Sequence, residues 1–305
     1  MSKRGLLDSR AVAVLAAAMS DKLLAYAARR GVIVPPPPHT AEALGELAAS
    51  VYLHPERAAR KMPRELAYLK TARQVVLPTS SSELAAWLWG EAGRPLVGLL
   101  HGWEGHGAQL GAFAAPLVAA GFRVLAFDAP GHGESPGDEC SAPLIGRLIL
   151  EMEGSLGLFH SFVAHSMGAA AAAMAATHGS HPRGMVFLAP PLSQLERIDR
   201  MVQRSQLSSE AAAVFRATVA RRTGLSLEEA DMHHVARLAP CPLLALHDPD
   251  DPDASYAATA AFVAAWHGAQ LVPCPGRGHV RILSTPEVVR QGVEFLSALE
   301  RAVIG

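Results

Sequence analysis

Three kinds of side chain in this sequence can carry acyl chemistry, and each stands at a break in the pattern. Ser166 follows the apolar run Phe162-Val163-Ala164-His165 and precedes Met167-Gly168-Ala169-Ala170-Ala171. A strand ending and a helix beginning there would put the hydroxyl on a sharp turn at a helix N-terminus, where the dipole favours a developing anion. His279 closes Pro275-Gly276-Arg277-Gly278-His279. A neutral imidazole can take a hydroxyl proton and return it to a leaving group. Asp248, Asp250, Asp251 and Asp253 crowd the stretch after Leu243–His247, and a carboxylate can orient an imidazole. Each residue also has a plainer use: the serine as the N-cap of a core helix, the histidine as a structural side chain, the acids as turn formers or caps.

Two further glycine-rich stretches follow apolar runs. They are His101-Gly102-Trp103-Glu104-Gly105-His106-Gly107 and Asp128-Ala129-Pro130-Gly131-His132-Gly133-Glu134-Ser135. Together the five stretches resemble the α/β-hydrolase superfamily, over roughly residues 73–300. A-H-S-M-G looks like the G-x-S-x-G nucleophile elbow, with Ala164 in place of the first glycine and Gly168 as the second. His101-Gly102-Trp103 is similar to the H-G-x oxyanion loop, and Asp128–Ser135 to the D-x-P-G-x-G-x-S loop. Superfamily members commonly show H-G-x-x-D after a late strand. Counting from His247 puts that acid at Asp251, with Asp250 second, and puts Asp248 where glycine is usual. The chain order Ser166, Asp251, His279 is the superfamily's order.

The resemblance implies a serine hydrolase with Ser166 as nucleophile, His279 as general base and Asp251 as orienting acid. It implies an oxyanion hole from the backbone N–H groups of Trp103 and Met167. His101 would brace the oxyanion loop, and Asp128 and His132 would serve the fold. Ser166 Oγ is expected within about 3.5 Å of an imidazole nitrogen of His279. The reaction implied is cleavage of a small-molecule carboxylic ester or thioester through an acyl-enzyme, carboxylesterase-like, with no cofactor and no metal. Serine at the elbow sets the chain apart from epoxide hydrolases and haloalkane dehalogenases, which carry aspartate there. Acyltransferase or peptidase activity would use the same triad, and a non-catalytic α/β-hydrolase-like binding module is the alternative outside enzymology.

The elements that must position these residues alternate. Strands are expected near 74–77, 84–89, 96–100, 123–127, 161–164, 185–188, 243–246 and 270–272, with helices near 108–120, 167–177, 255–266 and 286–301. Such alternation predicts an α/β fold: a mostly parallel central sheet with helices on both faces. Residues 193–238 hold only helical patterns and read as a helical lid insertion; packing against the sheet edge is the plainer use. Met201, Leu207, Val214 and Phe215 there suit an acyl pocket or a simple core. Residues 1–72 read as a helical N-terminal extension, with helices at 9–30, from 40 to about 53, and within 55–70, and a stiff connector at Pro35–Pro38. Residues 73–305 then form the α/β-hydrolase domain.

Composition excludes several classes. Lys plus Arg number 27 against 28 Asp plus Glu, so no nucleic-acid footprint is expected. Fourteen histidines form no H-E-x-x-H and no Cys/His cluster at ligand spacing. Three cysteines, Cys140, Cys241 and Cys274, argue against a disulfide framework and fit the cytoplasm. Ala11–Met19 is too short an apolar run to span a membrane. Residues 9–30 read as an amphipathic helix packed on a core; membrane-surface contact is the lesser alternative, since the positive charges sit at its ends. Nothing specifies an oligomeric state.

Overall fold

The architecture comes from a computed structural model that describes residues 21–57, 60–80, 82–191 and 193–304. Residues 21–29 are helical; the rest of the helix expected over 9–30 lies outside the described residues. The elements then run α1 (Ala41–Leu53), α2 (Pro63–Leu69), β1 (Arg73–Pro78), β2 (Glu83–Trp89) and β3 (Leu96–Leu100). A 3-10 turn at Gly107–Phe113 leads into α3 (Ala114–Ala119), then β4 (Arg123–Phe127), α4 (Ala142–Leu156), β5 (Phe159–His165), α5 (Met167–Thr177) and β6 (Gly184–Leu188). Helices α6 (Gln194–Ser205), α7 (Ser209–Thr223) and α8 (Met232–Leu238) precede β7 (Leu243–His247). The chain ends with α9 (Tyr256–Ala265), β8 (Ala269–Pro273), α10 (Gly278–Arg281) and α11 (Pro286–Ile304).

The chain divides into two compact units: Pro55–Gln194 with Glu228–Gly305, and Met1–His54 with Leu195–Leu227. Residues 55–72, read from sequence as part of the N-terminal extension, thus group with the sheet. The reason is visible at Gly111, where an added Cβ would lie 2.6 Å from the Tyr68 ring. Trp89 Nε1 also donates to Thr71 Oγ1 at 3.0 Å.

The first unit carries one eight-stranded sheet of order β1-β2-β4-β3-β5-β6-β7-β8. β2 pairs antiparallel with β1 and with β4; every other pairing is parallel. β3, β6 and β7 are buried at every position, as strands covered on both faces must be. β1 lies at the edge and is largely exposed. Val97, Leu99, Val163, Val186 and Leu246 form the centre of the core, with Leu110, Phe113 and Leu117 against it. α4 was not anticipated. Its signal is Ser141, whose side chain accepts from Leu144 N, with proline in the first turn. The three cysteines are free and buried.

The second unit is all-helical. α1 starts at Thr40, which accepts from Ala43 N at 3.1 Å, and α7 starts at Ser208, which accepts from Ala211 N. The two helices approach closely at Gly45, where an added Cβ would lie 2.6 Å from Val214 Cβ. Leu23, Leu47, Val51, Ile198, Met201, Phe215 and Val219 form its core. Met201 and Phe215 are thus core side chains of this unit, and Leu207 packs against them. No described helix is long and apolar enough to cross a membrane.

Candidate active site

The parallel strands end in a common row, and the expected site residues stand there. β5 ends at His165 and α5 begins at Met167, leaving Ser166 alone on the turn with φ 48° and ψ −119°. A non-glycine residue there is strained by about 1–3 kcal/mol. Ser166 N donates to Leu188 O at 3.2 Å, and Ser166 O accepts from Ala169 N at 2.9 Å. Of the three other non-glycine residues with positive φ among the described residues, Glu104 and Ala189 follow β3 and β6, and Gln206 lies in the helical unit. Within the sheet unit, strain therefore collects at one end of the sheet.

Close packing holds this turn. An added Cβ on Gly168 would come within 2.5 Å of Leu100 O and 2.6 Å of His101 O. One on Gly102 would come within 2.8 Å of His165 Nδ1 and 3.1 Å of Ser166 Cβ. The His101–Trp103 loop therefore lies directly against the serine, with backbone at van der Waals distance. Gly105 N donates back to Gly102 O at 3.1 Å, turning the loop at Trp103. Met167 is the first residue of α5, so its N–H is one of those a helix leaves without an intrahelical partner.

The loop is braced from below. His101 accepts from Ala129 N at Nε2, at 2.9 Å, so its Nδ1–H donates to Gly102 O at 2.7 Å. Burial holds this imidazole neutral, with its pKa lowered to about 4. Asp128 accepts from Gly107 N at 2.6 Å and from Glu134 N at 2.8 Å. Its main-chain O accepts from Ser135 Oγ at 2.6 Å. His132 donates from Nδ1 to Pro130 O at 2.9 Å and packs beside His101 and Trp103. Asp128 and His132 thus tie β4's end to the His101–Gly107 loop, and neither meets Ser166 by any hydrogen bond among the described residues.

His279 sits in α10, a single helical turn where a loop was expected. Its Nδ1–H donates to Asp251 Oδ2 at 2.8 Å, which leaves Nε2 with the lone pair. Asp251, not Asp250, is the acid that meets His279; Asp250 is exposed. The Asp251 carboxylate is fully buried and carries four donors. Oδ2 also accepts from His247 Nε2 at 3.1 Å, and Oδ1 accepts from Asp253 N at 2.8 Å and Ala254 N at 3.1 Å. Burial pushes this carboxyl upward, but the His279 and backbone hydrogen bonds outweigh it and leave it below the usual range.

Three supporting residues were not singled out from sequence. His165 Nε2 donates to His279 O at 3.1 Å, the rings lying 4.6 Å apart; burial lowers its pKa to about 3. His247, at the end of β7, accepts from Thr259 Oγ1 at Nδ1 while donating to Asp251. Asp248 accepts from Gly278 N and Asp250 N. The letters A-H-S-M-G and H-D-P-D-D contained all three; His247 meets Asp251 within its own stretch, while His165 and Asp248 reach His279 O and Gly278 N in the loop after β8.

No hydrogen bond joins Ser166 to His279 among the described residues, so the expected approach within about 3.5 Å is not made as a bond here. Bonds of this kind commonly tighten only when a substrate is seated. One set of potential metal ligands exists among the described residues: Asp251, Asp253 and His279, with ligand atoms within 4.8 Å of one another. It consists of the acid–imidazole pair plus one exposed aspartate, and His279 Nδ1 already carries the proton it donates to Asp251.

A family model described as serine aminopeptidase, S33, matches residues 91–266, more than half of the chain. The chain belongs to this family. The match takes in Ser166 and Asp251 and ends before His279. No curated protein matches the chain. Among solved structures, a membrane phospholipase A described as a bacterial virulence factor aligns with a TM-score of 0.60 at 18% identity, covering 94% of this chain and 97% of that one. A hydrolase from Pseudomonas aeruginosa aligns with a TM-score of 0.56 at 22% identity over 73% of this chain and 98% of its own. Est1E from Butyrivibrio proteoclasticus, crystallised with ferulic acid, gives 0.57 at 17% over 75% and 99%. These likenesses establish the α/β-hydrolase fold.

Proposed function

We propose that this chain hydrolyses carboxylic esters or thioesters through an acyl-enzyme on Ser166. The observation that carries the reading is the pairing of His279 Nδ1 with the buried Asp251 carboxylate, in a chain where Ser166, on the elbow, is the one serine with positive φ among the described residues. His279 Nε2 takes the hydroxyl proton as Ser166 Oγ attacks the carbonyl carbon. The tetrahedral oxyanion is met by the N–H groups of Trp103 and Met167. The imidazolium returns the proton to the departing alkoxide or thiolate, and the acyl group stays on Ser166. Water then repeats the sequence, activated by the same imidazole, and releases the acid. Asp251 keeps Nε2 as the basic nitrogen throughout and stabilises the imidazolium.

Esters are preferred over amides because solved relatives of this fold include an esterase and a phospholipase. The test is a panel of p-nitrophenyl esters of graded acyl length, matched thioesters and an aminoacyl p-nitroanilide, run beside a fluorophosphonate probe. Wild type should be labelled and should turn over esters. Ser166→Ala should lose labelling and about 10⁵-fold or more in kcat. Equal labelling of both proteins, or none of wild type, overturns the reading; turnover of the anilide alone moves the chain to the peptidases.

A further inference from the structure

Asp248 stands where the superfamily pattern has glycine, and the reaction just described makes no use of it. It is nevertheless 2% exposed, and a buried carboxylate needs donors. Its Oδ2 accepts from Gly278 N and its Oδ1 from Asp250 N at 3.0 Å. Those two bonds, the Gly278 one first, hold the carboxyl below the usual range. Asp251 N donates to Asp248 O at 3.2 Å. One residue at the end of β7 is thereby tied to the turn that carries the acid and to the loop that carries the base.

The glycines of that loop fit this role. Gly276 and Gly278 have φ of +72° and +61°, yet an added Cβ at either would meet nothing within 4 Å. Space is not what they supply. Left-handed backbone at both positions curves the loop into the kind of concave turn that binds an anion, and its Gly278 N–H donates to Asp248. Asp248 supplies that anion from within the chain.

We infer that Asp248 is a positioning residue for the general base: its carboxylate gathers the 276–278 loop and thereby fixes where His279 stands relative to Ser166. The inference rests on the ester-hydrolase reading above and extends it. Asp251 orients the imidazole ring but does not set the backbone from which the ring projects. That backbone has two ties beside the ring, Gly278 N–H to Asp248 and His279 O to His165 Nε2. Asparagine at 248 would keep the shape and one acceptor oxygen, lose the charge, and turn an NH₂ toward a donor. Glycine, the usual residue, would leave the loop's N–H groups to water.

The experiment compares wild type, Asp248→Asn and Asp248→Gly with p-nitrophenyl butyrate as substrate. Active sites are titrated to completion with a fluorophosphonate, so that kcat refers only to folded, reactive molecules. Both variants should lose about 10²-fold in kcat per titrated site, the scale of an ångström's misplacement, with KM changed less than about twofold. A residue that merely stabilised the fold would lower the titratable fraction and the melting temperature while leaving kcat per site unchanged. That result in Asp248→Asn overturns the positioning role and leaves the ester-hydrolase reading standing. Failure of wild type to label, or labelling that survives Ser166→Ala, removes the reading itself and this inference with it.

Discussion

The two halves of the site are held in different ways. On the serine side, backbone packs against backbone: Gly168 lies under Leu100 O and His101 O, and Gly102 against Ser166 Cβ, with no room for a methyl group at either. On the histidine side the loop glycines have open space, and acids do the holding. Asp251 holds the ring and Asp248 receives the Gly278 N–H. In the proposed reaction the nucleophile must stay on a strained turn, which only a close-packed surround can enforce. The proposed base must pass a proton between two partners, and a hydrogen-bonded mount keeps it aimed without encasing it.

This contrast predicts that charge dominates on the histidine side. Asp251→Asn removes a carboxylate that accepts from two imidazoles and sets an NH₂ against at least one of them. The His279 tautomer should invert, and kcat for a p-nitrophenyl ester should fall by about 10⁴-fold with the fold retained. A loss under about tenfold would mean that Asp251 is not the orienting acid.

Steric fit should dominate on the serine side. Gly168→Ala places a methyl against two carbonyl oxygens, Leu100 O at the end of β3 and His101 O just beyond it, neither of which is the free end of a flexible side chain. Denaturant unfolding should show a loss of about 3 kcal/mol, the upper range for overpacking, together with reduced fluorophosphonate labelling. Unchanged stability would show that the elbow and the oxyanion loop are not in mutual contact as described.

Legibility in the sequence follows the same division. β3, β4 and α5 match their expected bounds because a buried strand shows as an apolar run and the helix after Ser166 is mostly glycine and alanine, interrupted by Met174. α4 escaped notice, since its amphipathic pattern follows a glycine-rich loop and only Ser141 marks its start. The choice between Asp251 and Asp250 could only be counted, because four acids share one loop and the deciding contact comes from α10. His165, His247 and Asp248 were visible as letters, but their partners were not: His165 and Asp248 act on the loop after β8, and His247 on one acid among four in its own loop. The helical unit is built from two separated stretches, 1–54 and 195–227, and local pattern carries no sign of such a pairing.

Acid should weaken the serine side first. His101, His132 and His165 are buried and neutral, with pKa values lowered from 6.5 to about 4, about 4 and about 3. For a base with a lowered folded pKa, the unfolded chain takes the proton first. Their contribution is therefore whole above pH 6.5 and is lost as pH falls from 6.5 toward about 4. Each adds a slope of up to about 1.4 kcal/mol per pH unit in that window. His132→Asn keeps a donor near Pro130 O and should flatten the dependence of unfolding free energy on pH by up to that amount between about pH 6 and about pH 4.5. An unaltered slope would mean that His132 is already protonated in the folded state.

The smallest effect sharpens the contrast most, because it makes the same chemical change on the other side. Gly278→Ala adds the methyl group that Gly168→Ala adds, but here nothing lies within 4 Å of it. The only cost is left-handed backbone for an L-residue, about 1 kcal/mol. The N–H that donates to Asp248 is retained, so the tie that locates His279 survives the substitution. Unfolding free energy should fall by about 1 kcal/mol, and kcat by no more than severalfold, far short of the loss expected at Asp248. A drop in kcat as large as that of Asp248→Asn would show that the loop's own backbone conformation, and not the carboxylate it surrounds, sets the position of the base.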